Sequence, residues 1–236
     1  MYTVDRIDPR TTALIVVDME NDFVAPGAPL EQPAGRAMLP QLQRALACCR
    51  ENGIPVIYTT HAHRVGGYDQ GLLVHAPSIG RGEALVDGSP GVAIYPEVAP
   101  RDGEIVISKH RFSAFYGTDL EIILRGLGVN TVVITGVTTE NCCHATARDA
   151  FFRDFQVVFL SDATATSGYP DLGYGSMSAD EVHHAMLVVL ARDTADVVTT
   201  ETFIARVATA PDTETRVVAD STYGIPWAAR EVALVP

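Results

Sequence analysis

The stretch TVVITGVTTENCCHATARDA, residues Thr131–Ala150, decides how we interpret the rest of the chain. It opens with β-branched residues throughout Thr131–Thr135, which is typical of a strand that is buried on both faces. Gly136 ends this predicted strand, and a threonine-rich turn follows. Small, polar and apolar residues then alternate at helical spacing over Asn141–Arg153. The pattern predicts a buried strand, a tight turn and a helix.

Cys142 falls at or near the first turn of that helix, at the carboxyl end of the strand. Open α/β sheets bind their ligands at this end, and the free N–H groups of a helix N-terminus favour a thiolate. Cys142 is therefore either a nucleophile or a buried structural cysteine, since a free cysteine packs as a small hydrophobic residue.

Length and composition restrict the class of protein. The chain has 236 residues, of which 47% are hydrophobic and 19% charged, so it can bury a sizeable core and fits one α/β domain. Its net charge of −12, without any Lys/Arg cluster, argues against nucleic acid and anionic membranes as partners. No apolar run reaches the length of about 18 residues typical of a membrane span, and the N-terminus lacks the apolar core of a signal peptide.

The four cysteines form two adjacent pairs, Cys48–Cys49 and Cys142–Cys143. Neighbouring cysteines cannot form an ordinary unstrained disulfide, and the spacing fits no zinc module. These features predict a protein of the reducing cytoplasm.

Buried apolar runs alternate with amphipathic segments along the chain. The predicted strands are Thr12–Asp18, Pro55–Thr59, Glu104–Ser108, Thr131–Thr135, Gln156–Leu160 and Ala195–Thr199. The predicted helices are Arg36–Glu51, Asp119–Arg125, Asn141–Arg153, Ser178 to about Ala191, and Thr200–Val207. This alternation predicts an α/β fold of three layers, Rossmann-like, with a six-stranded, mostly parallel sheet flanked by helices.

Capping boxes are predicted where Thr118 precedes Glu121 and where Ser178 precedes Glu181. His183 and His184, on the helix that Ser178 opens, are interpreted as surface or interface residues.

Two long segments, 61–100 and 161–177, are predicted to be loops, and Tyr169–Tyr174 in the second could cover a site as a lid. We expect a single domain over 1–236, in which the tail 210–236 packs on the domain or on a partner subunit.

Three predicted strands deliver candidate catalytic groups at their carboxyl ends, namely Asp18, Lys109 and Cys142. Parallel strands end at the same edge of a sheet, so we expect the three side chains to converge. No glycine-rich dinucleotide motif and no P-loop motif follows any strand. The sequence therefore favours catalysis by side chains and predicts no cofactor.

Three motifs carry a resemblance to a known family. ALIVVDMENDF (Ala13–Phe23), ISKHRFSAFYGTDLE (Ile107–Glu121) and VVITGVTTENCCHATARDA (Val132–Ala150) resemble the isochorismatase-like cysteine hydrolases, in order and spacing over about Thr12–Val207. The resemblance implies the fold of that family and a catalytic triad of Asp18, Lys109 and Cys142, rather than Cys143.

The resemblance also implies a mechanism. Lys109 and the helix N-terminus would lower the pKa of the thiol, and Asp18 would act as base and then as acid. Cys142 would attack a carbonyl, form a thioester and release ammonia. A non-proline cis peptide would join Val137 and Thr138, and the backbone N–H groups of Thr138 and Cys142 would form the oxyanion hole.

The likeness is greatest to the branch that acts on linear amides and ureido compounds, such as N-carbamoylsarcosine, maleamate, biuret and ureidoacrylate. Some family members that hydrolyse isochorismate lack the cysteine, so its presence here favours hydrolysis of a C–N bond. The metal motif of the nicotinamidase branch is not matched at residues 59–64, so no metal is expected, although His61 and His63 leave that question open. The expected partners are a small amide or ureide and water.

Four residues are candidates for substrate binding: Phe23, His61, Arg111 and Phe115. Arginine suits a carboxylate, but Arg111 could equally form a surface or interface ion pair. The two phenylalanines could equally be core residues, and the histidine could be a surface residue.

Other functions remain open. A nicotinamidase-type hydrolase would share this fold. A thiol redox protein would need a resolving cysteine, and adjacent Cys143 is poorly placed for that role. A binding protein without activity would be expected to have lost one of the triad residues. The resemblance also implies a homo-oligomer, either a dimer or a tetramer.

Overall fold

Six strands form one sheet in the order β3-β2-β1-β4-β5-β6. In the computed structural model, which describes residues 3–207, the bounds are Thr12–Val17 (β1), Val56–His61 (β2), Ile105–Lys109 (β3), Thr131–Val137 (β4), Gln156–Ala165 (β5) and Asp196–Val198 (β6). Each pairing between these strands is parallel. The predicted fold class is confirmed, and within the described residues the named strands are all parallel rather than mostly so.

The helices connect the strands and cover both faces of the sheet. They are Asn21–Val24 (α1), Pro33–Ala37 (α2), Leu39–Glu51 (α3), Pro77–Gly80 (α4), Leu120–Gly126 (α5), His144–Phe151 (α6), Ala179–Asp193 (α7) and Thr200–Arg206 (α8). One buried cluster includes apolar residues of α3 and α8, and the other includes apolar residues of α5, α6 and α7.

Strand β1 shows how the sequence produces these layers. Every residue of TALIVV is buried. Leu14 and Val16 belong to the cluster that contains α3, whereas Ile15 and Val17 belong to the opposite cluster, because successive side chains of a strand point to opposite faces. A strand with helices on both sides therefore needs a continuous apolar run.

The order of the strands also sets the place of a site. The chain builds outward from β1 in one direction through β2 and β3, and in the other through β4, β5 and β6. The crevice between the carboxyl ends of β1 and β4 is therefore a topological switch point, where sheets of this kind bind ligands.

Two predicted boundaries are wrong near this crevice. Strand β4 continues through Gly136 to Val137, and β5 continues to Ala165, so the start of the predicted loop 161–177 is strand. The pairing between β4 and β5 shifts between Ile134 and Gly136. Such irregularities often lie beside active sites, and the apolar pattern of the sequence does not reveal them.

One of the two predicted capping boxes forms. Ser178 and Glu181 cap α7 reciprocally. Thr118 instead accepts a hydrogen bond from the Leu120 N–H at 3.3 Å. Glu121 pairs with Arg153, with 3.0 Å between its Oε2 and the arginine Nε, so the box predicted at α5 is wrong.

The segment 61–100, predicted to be a loop, contains the short helix α4 and several 3₁₀ turns. The segment 210–236, expected to pack on the domain or on a partner, lies outside the described residues. No helix within residues 3–207 is long and apolar enough to cross a membrane.

Candidate active site

Asp18 follows the last residue of β1 and is fully buried. Its φ of 49° turns the chain at the strand end. Thr59, in the neighbouring β2, donates its hydroxyl to Asp18 Oδ1 at 2.7 Å, and its carbonyl accepts the Asp18 N–H at 3.1 Å. These contacts fix the carboxylate at the mouth of the crevice.

Lys109 ends β3 and is also fully buried. Its Nζ lies 2.6 Å from Asp18 Oδ2, 3.3 Å from Cys142 Sγ and 3.0 Å from the Arg111 carbonyl oxygen. The sulfur and the carbonyl accept hydrogen bonds from this ammonium group, and the Asp18 carboxylate forms an ion pair with it. The structure thus brings Asp18, Lys109 and Cys142 together.

Cys142 lies in a π-helical turn, Thr139–Cys143, between β4 and α6. The Cys143 N–H donates to the Thr138 carbonyl at 3.1 Å, which closes this turn. The peptide bond between Val137 and Thr138 is cis. π turns of this kind often occur at functional sites.

The two adjacent cysteines face different surroundings. Cys142 Sγ contacts the Lys109 ammonium group, whereas Cys143 Sγ lies 3.7 Å from the Thr135 carbonyl oxygen and is fully buried. All four cysteines of the chain are free thiols. Only Cys142 of this pair contacts a charged group of the site.

Burial raises the pKa of the Cys142 thiol above its usual value. The Lys109 charge offsets this rise only in part, and the Asp18 carboxylate adds to it. Lys109 lowers this pKa, as expected, but burial outweighs its effect, so the net shift is upward. The resting group is a thiol that must pass its proton to a base before it can attack.

Burial alone would lower the pKa of Lys109, but the adjacent Asp18 and Cys142 more than offset that effect and raise it. Lys109 is therefore a permanent buried cation. A charge so deeply buried is tolerated because its partners surround it.

His61 belongs to the same site. It ends β2, pairs in register with Lys109, and is buried. One of its ring nitrogens, a carboxylate oxygen of Asp18 and Cys142 Sγ all lie within 4.8 Å of one another. Burial, followed by the Lys109 charge, lowers the pKa of His61 well below its usual value, so the ring is neutral. Its Nε2 has no hydrogen-bond partner in the part of the chain that the structure describes.

Glu20 is a buried acid that the sequence analysis missed. It lies two residues beyond Asp18, and its Oε1 accepts the His61 N–H at 2.6 Å. Burial, and then the Asp18 charge, raise the pKa of Glu20 well above its usual value. The stretch ALIVVDMENDF contains this position, but only tertiary contacts show its surroundings.

A second group of titratable residues lies nearby. His63, Asp69 and His110 each offer one atom within 4.8 Å of the others, a spacing at which they could share a cation. Asp69 already accepts hydrogen bonds from the Arg64 N–H and guanidinium, both at 3.1 Å, and His110 Nδ1 donates to the Ala62 carbonyl at 2.6 Å. These contacts give Asp69 and His110 partners without an ion.

The remaining candidates for substrate binding have other partners. Arg111 Nη1 donates to the backbone carbonyls of Asp69 and His110, at 2.7 and 2.6 Å. Phe23 packs in the core cluster that contains α3. The ring of Phe115 lies 5.9 Å from that of Phe155. These contacts favour the alternative that both phenylalanines are core residues. The hydrogen bonds of Arg111 hold the backbone next to Lys109 in place.

A cavity of about 290 Å³ lies beside the site, lined by Leu73, Arg111, Phe112, Ser113, Tyr116 and Asp149. Phe112 meets the ring of His61 edge to face, with 6.5 Å between centroids. This cavity is therefore adjacent to the crevice, with Phe112 between the two.

Two contacts support the π turn from outside. Tyr169 donates its hydroxyl to Glu140 Oε1 at 2.8 Å, so the first residue of the proposed lid contacts the turn, whereas Tyr174 is fully exposed. His183 accepts the Thr139 hydroxyl on Nδ1 at 2.8 Å and donates from Nε2 to the Ser161 carbonyl. The surface alternative for His183 is wrong, because α7 packs this side chain against the turn, and the interface alternative stays a prediction.

Residues 12–202 match the isochorismatase domain family. Ureidoacrylate amidohydrolase RutB of Methylobacterium radiotolerans is 33% identical over 185 residues, 69% of this chain and 70% of that protein. N-carbamoylsarcosine amidase of an Arthrobacter species is 35% identical over 151 residues, 62% of this chain and 56% of that protein.

Solved structures agree with the sequence relatives. A cysteine hydrolase from Pseudomonas syringae pv. phaseolicola superposes with a TM-score of 0.82 at 34% identity, covering 85% of this chain and 93% of that one. N-carbamoylsarcosine amidase from Thermoplasma acidophilum superposes with a TM-score of 0.65 at 28% identity, covering 81% and 97%. By sequence and by fold, this chain belongs to the isochorismatase-like hydrolase family.

Proposed function

We propose that this protein is a cysteine-dependent amidohydrolase that cleaves the C–N bond of a small linear amide or ureido compound and releases ammonia. The proposal rests mainly on one observation: at the switch point, the buried Lys109 ammonium group contacts both the Asp18 carboxylate and the Cys142 sulfur. The relatives named as a ureidoacrylate amidohydrolase and an N-carbamoylsarcosine amidase support the substrate class.

In the first half-reaction, Asp18 accepts the thiol proton of Cys142, and the thiolate attacks the substrate carbonyl carbon. A carboxylate is a weak base, but the Lys109 cation stabilises the thiolate that forms 3.3 Å away. Protonated Asp18 then returns the proton to the nitrogen as the C–N bond breaks. Ammonia leaves, and the acyl group remains on sulfur as a thioester.

Negative charge develops on the carbonyl oxygen during this attack. We assign its stabilisation to two backbone N–H groups. That of Thr138 directly precedes the π turn, and that of Cys142 lies within it. Losing one such donor typically costs about 2.7–4 kcal/mol of transition-state stabilisation.

In the second half-reaction, water enters where ammonia left. Asp18 removes a proton from this water as its oxygen attacks the thioester carbon, and the C–S bond breaks. The thiolate leaves beside Lys109 and regains the proton from Asp18. The products are ammonia and an acid, and the enzyme returns to its resting protonation state.

His61 contributes substrate binding in this proposal. Its ring is neutral and lies within 4.8 Å of both the Asp18 carboxylate and the Cys142 sulfur. A neutral imidazole can donate or accept one hydrogen bond at each nitrogen, so it suits an uncharged amide or ureido group.

The test is ammonia release from a panel of linear amides and ureides. We expect turnover by the wild type and a loss of about 10³-fold or more in Cys142→Ala, because the nucleophile is gone. Cys143→Ala is the matched control, and it should retain activity because its sulfur faces the Thr135 carbonyl. An active Cys142→Ala variant, or loss of activity in folded Cys143→Ala alone, would overturn the proposal. Melting temperatures establish that both variants are folded.

A further inference from the structure

Glu20 has a polar atom, Oε2, that forms no hydrogen bond with any group in residues 3–207. Its side chain is fully buried, Oε1 accepts the His61 N–H, and Oε2 has no hydrogen-bond partner. Buried polar atoms almost always have partners, so each exception calls for an explanation. The Nε2 of neighbouring His61 is a second such atom. The 2.6 Å contact joins Glu20 Oε1 to the backbone N–H of His61, and one ring nitrogen of His61 lies within 4.8 Å of Cys142 Sγ. Asp18 Oδ2, which forms an ion pair with Lys109, also accepts no hydrogen bond from the described residues. Unpartnered polar atoms on three residues that surround this cysteine indicate that a ligand supplies the missing partners.

The charges around Glu20 determine whether its side chain is a carboxylate or a neutral acid. Asp18 and Asp22 face it from its own segment, His61 faces it from β2, and Lys109 faces it from β3. The two aspartates disfavour a further negative charge, and His61 is neutral. Lys109 is the one cation among these neighbours, and it already lies 2.6 Å from Asp18.

A buried carboxylate without a cation of its own is strongly disfavoured. Glu20 is therefore a neutral carboxylic acid. Because Oε1 already accepts a hydrogen bond, the proton on Oε2 makes that atom a donor that needs an acceptor.

We propose that Glu20 is a specificity-determining residue, which donates its Oε2–H to a second carbonyl oxygen of the substrate, next to His61. This inference rests on the proposed amidohydrolase function and narrows its substrate class. The preferred substrates carry an uncharged carbonyl group beyond the one that Cys142 attacks, as diamides and acylated ureas do. A carboxylate in that place would lie against Asp18 and Asp22 without a free cation.

The first experiment compares two amides of nearly equal shape. Malonamide carries the second carbonyl, and isovaleramide has a branched alkyl group in its place. We expect the wild type to prefer malonamide in kcat/KM. Glu20→Met should reduce that preference about tenfold, the value of one ordinary hydrogen bond, whereas Glu20→Gln should retain it, because its amide N–H replaces the acid proton. Glu51→Met, on the exposed end of α3, is the control.

The ratio of the two substrates separates recognition from structural damage. Any disturbance that Glu20→Met causes at the His61 N–H affects both amides and cancels in the ratio. An unchanged ratio in Glu20→Met, or a loss in Glu20→Gln as large as in Glu20→Met, would overturn the inference.

Rising pH provides an independent readout. As Glu20 ionises, the wild-type preference for malonamide should fall, whereas that of Glu20→Gln should stay constant. Infrared difference spectra between wild type and Glu20→Gln should show the carbonyl stretch of a protonated acid at neutral pH. Absence of that band would show that Glu20 is ionised and would refute the inference.

Failure of the proposed function can be told apart from failure of this inference. Calorimetry can measure the binding of both amides to Cys142→Ala, because binding needs no turnover. Adding Glu20→Met to this variant then shows how Glu20 affects the ratio of the two Kd values. Wild type that binds malonamide in preference but releases no ammonia would refute the proposed function alone. Equal binding of both amides would refute the role of Glu20.

Discussion

The ammonium group of Lys109 shows how single residues organise this site. It forms an ion pair with a carboxylate and donates hydrogen bonds to a sulfur and a backbone carbonyl. Removing one partner of a buried pair of this kind leaves an uncompensated charge, which typically costs about 3–5 kcal/mol. In the proposed mechanism the charge of Lys109 stabilises the thiolate, and it also limits which side chains can lie beside it without loss of stability.

Thr59 provides a test at the scale of one residue. Its hydroxyl donates to Asp18 Oδ1 at 2.7 Å, so Thr59→Val removes the hydrogen bond while nearly conserving shape. We expect kcat to fall about tenfold, because one hydrogen bond that orients the base is lost. Steady-state kinetics on any amide that the wild type hydrolyses will measure the change.

Thr60→Val is the control for Thr59→Val. The side chain of the next residue in β2 points to the opposite face of the sheet, so the control should keep the wild-type kcat. An equal loss of kcat in both variants would mean that the hydroxyl of Thr59 has no special part in orienting Asp18.

At the scale of elements, the close approach of β1 and β4 depends on a glycine. Gly136 has φ +106°, and a Cβ built there would lie 2.0 Å from the Val17 carbonyl oxygen. The two residues are paired in register directly before Asp18 and the π turn. A side chain at position 136 would separate the two strands that carry the acid and the sulfur.

We therefore expect Gly136→Ala to lower the free energy of unfolding by about 3 kcal/mol or more, from backbone strain together with overpacking. Gly128→Ala is the matched control, because Gly128 also has a positive φ of +71° but no atom lies within 4 Å of its Cβ position. Gly128→Ala should lower the free energy of unfolding by only about 1 kcal/mol, because backbone strain is its only cost. Urea denaturation measures both, and equal losses would contradict the steric argument.

At the scale of the whole molecule, ion pairs link helices to the sheet. Arg50 at the end of α3 holds Glu104, just before β3, with 2.8 Å between Nε and Oε1. Burial alone would raise the pKa of Glu104, but the hydrogen bonds from Arg50 and from the Arg101 N–H together more than offset this and lower it. The stabilisation is present above the usual pKa of glutamate and is lost as the pH falls through the lowered folded value.

Glu104→Gln should therefore weaken the acid dependence of stability. Between about pH 7 and about pH 4, around the usual glutamate pKa of about 4.3, we expect the wild type to lose about 1 kcal/mol more than the variant. Urea denaturation at several pH values measures this difference. Glu83→Gln, in an exposed pair with Arg81, should leave the pH dependence unchanged. If wild type and Glu104→Gln lose the same stability as the pH falls, the Arg50–Glu104 pair does not contribute to the acid dependence.

The sequence by itself determined the class of fold and the three strand ends that meet. Continuous apolar runs indicated a parallel sheet, and Asp18, Lys109 and Cys142 each follow or end such a run. Parallel strands share one edge for their carboxyl ends, so a local pattern was enough to predict that these side chains converge.

Only the tertiary structure decided the protonation and the partners of these groups. Glu20 meets the backbone of His61, 41 residues away, and Thr59 meets Asp18 across the same distance in sequence. Desolvation raises the pKa of Cys142, although the local sequence favoured a lowered value. Burial and hydrogen bonding depend on which segments the fold packs together, and that packing sets the charge of an ionisable group more strongly than its sequence neighbours do.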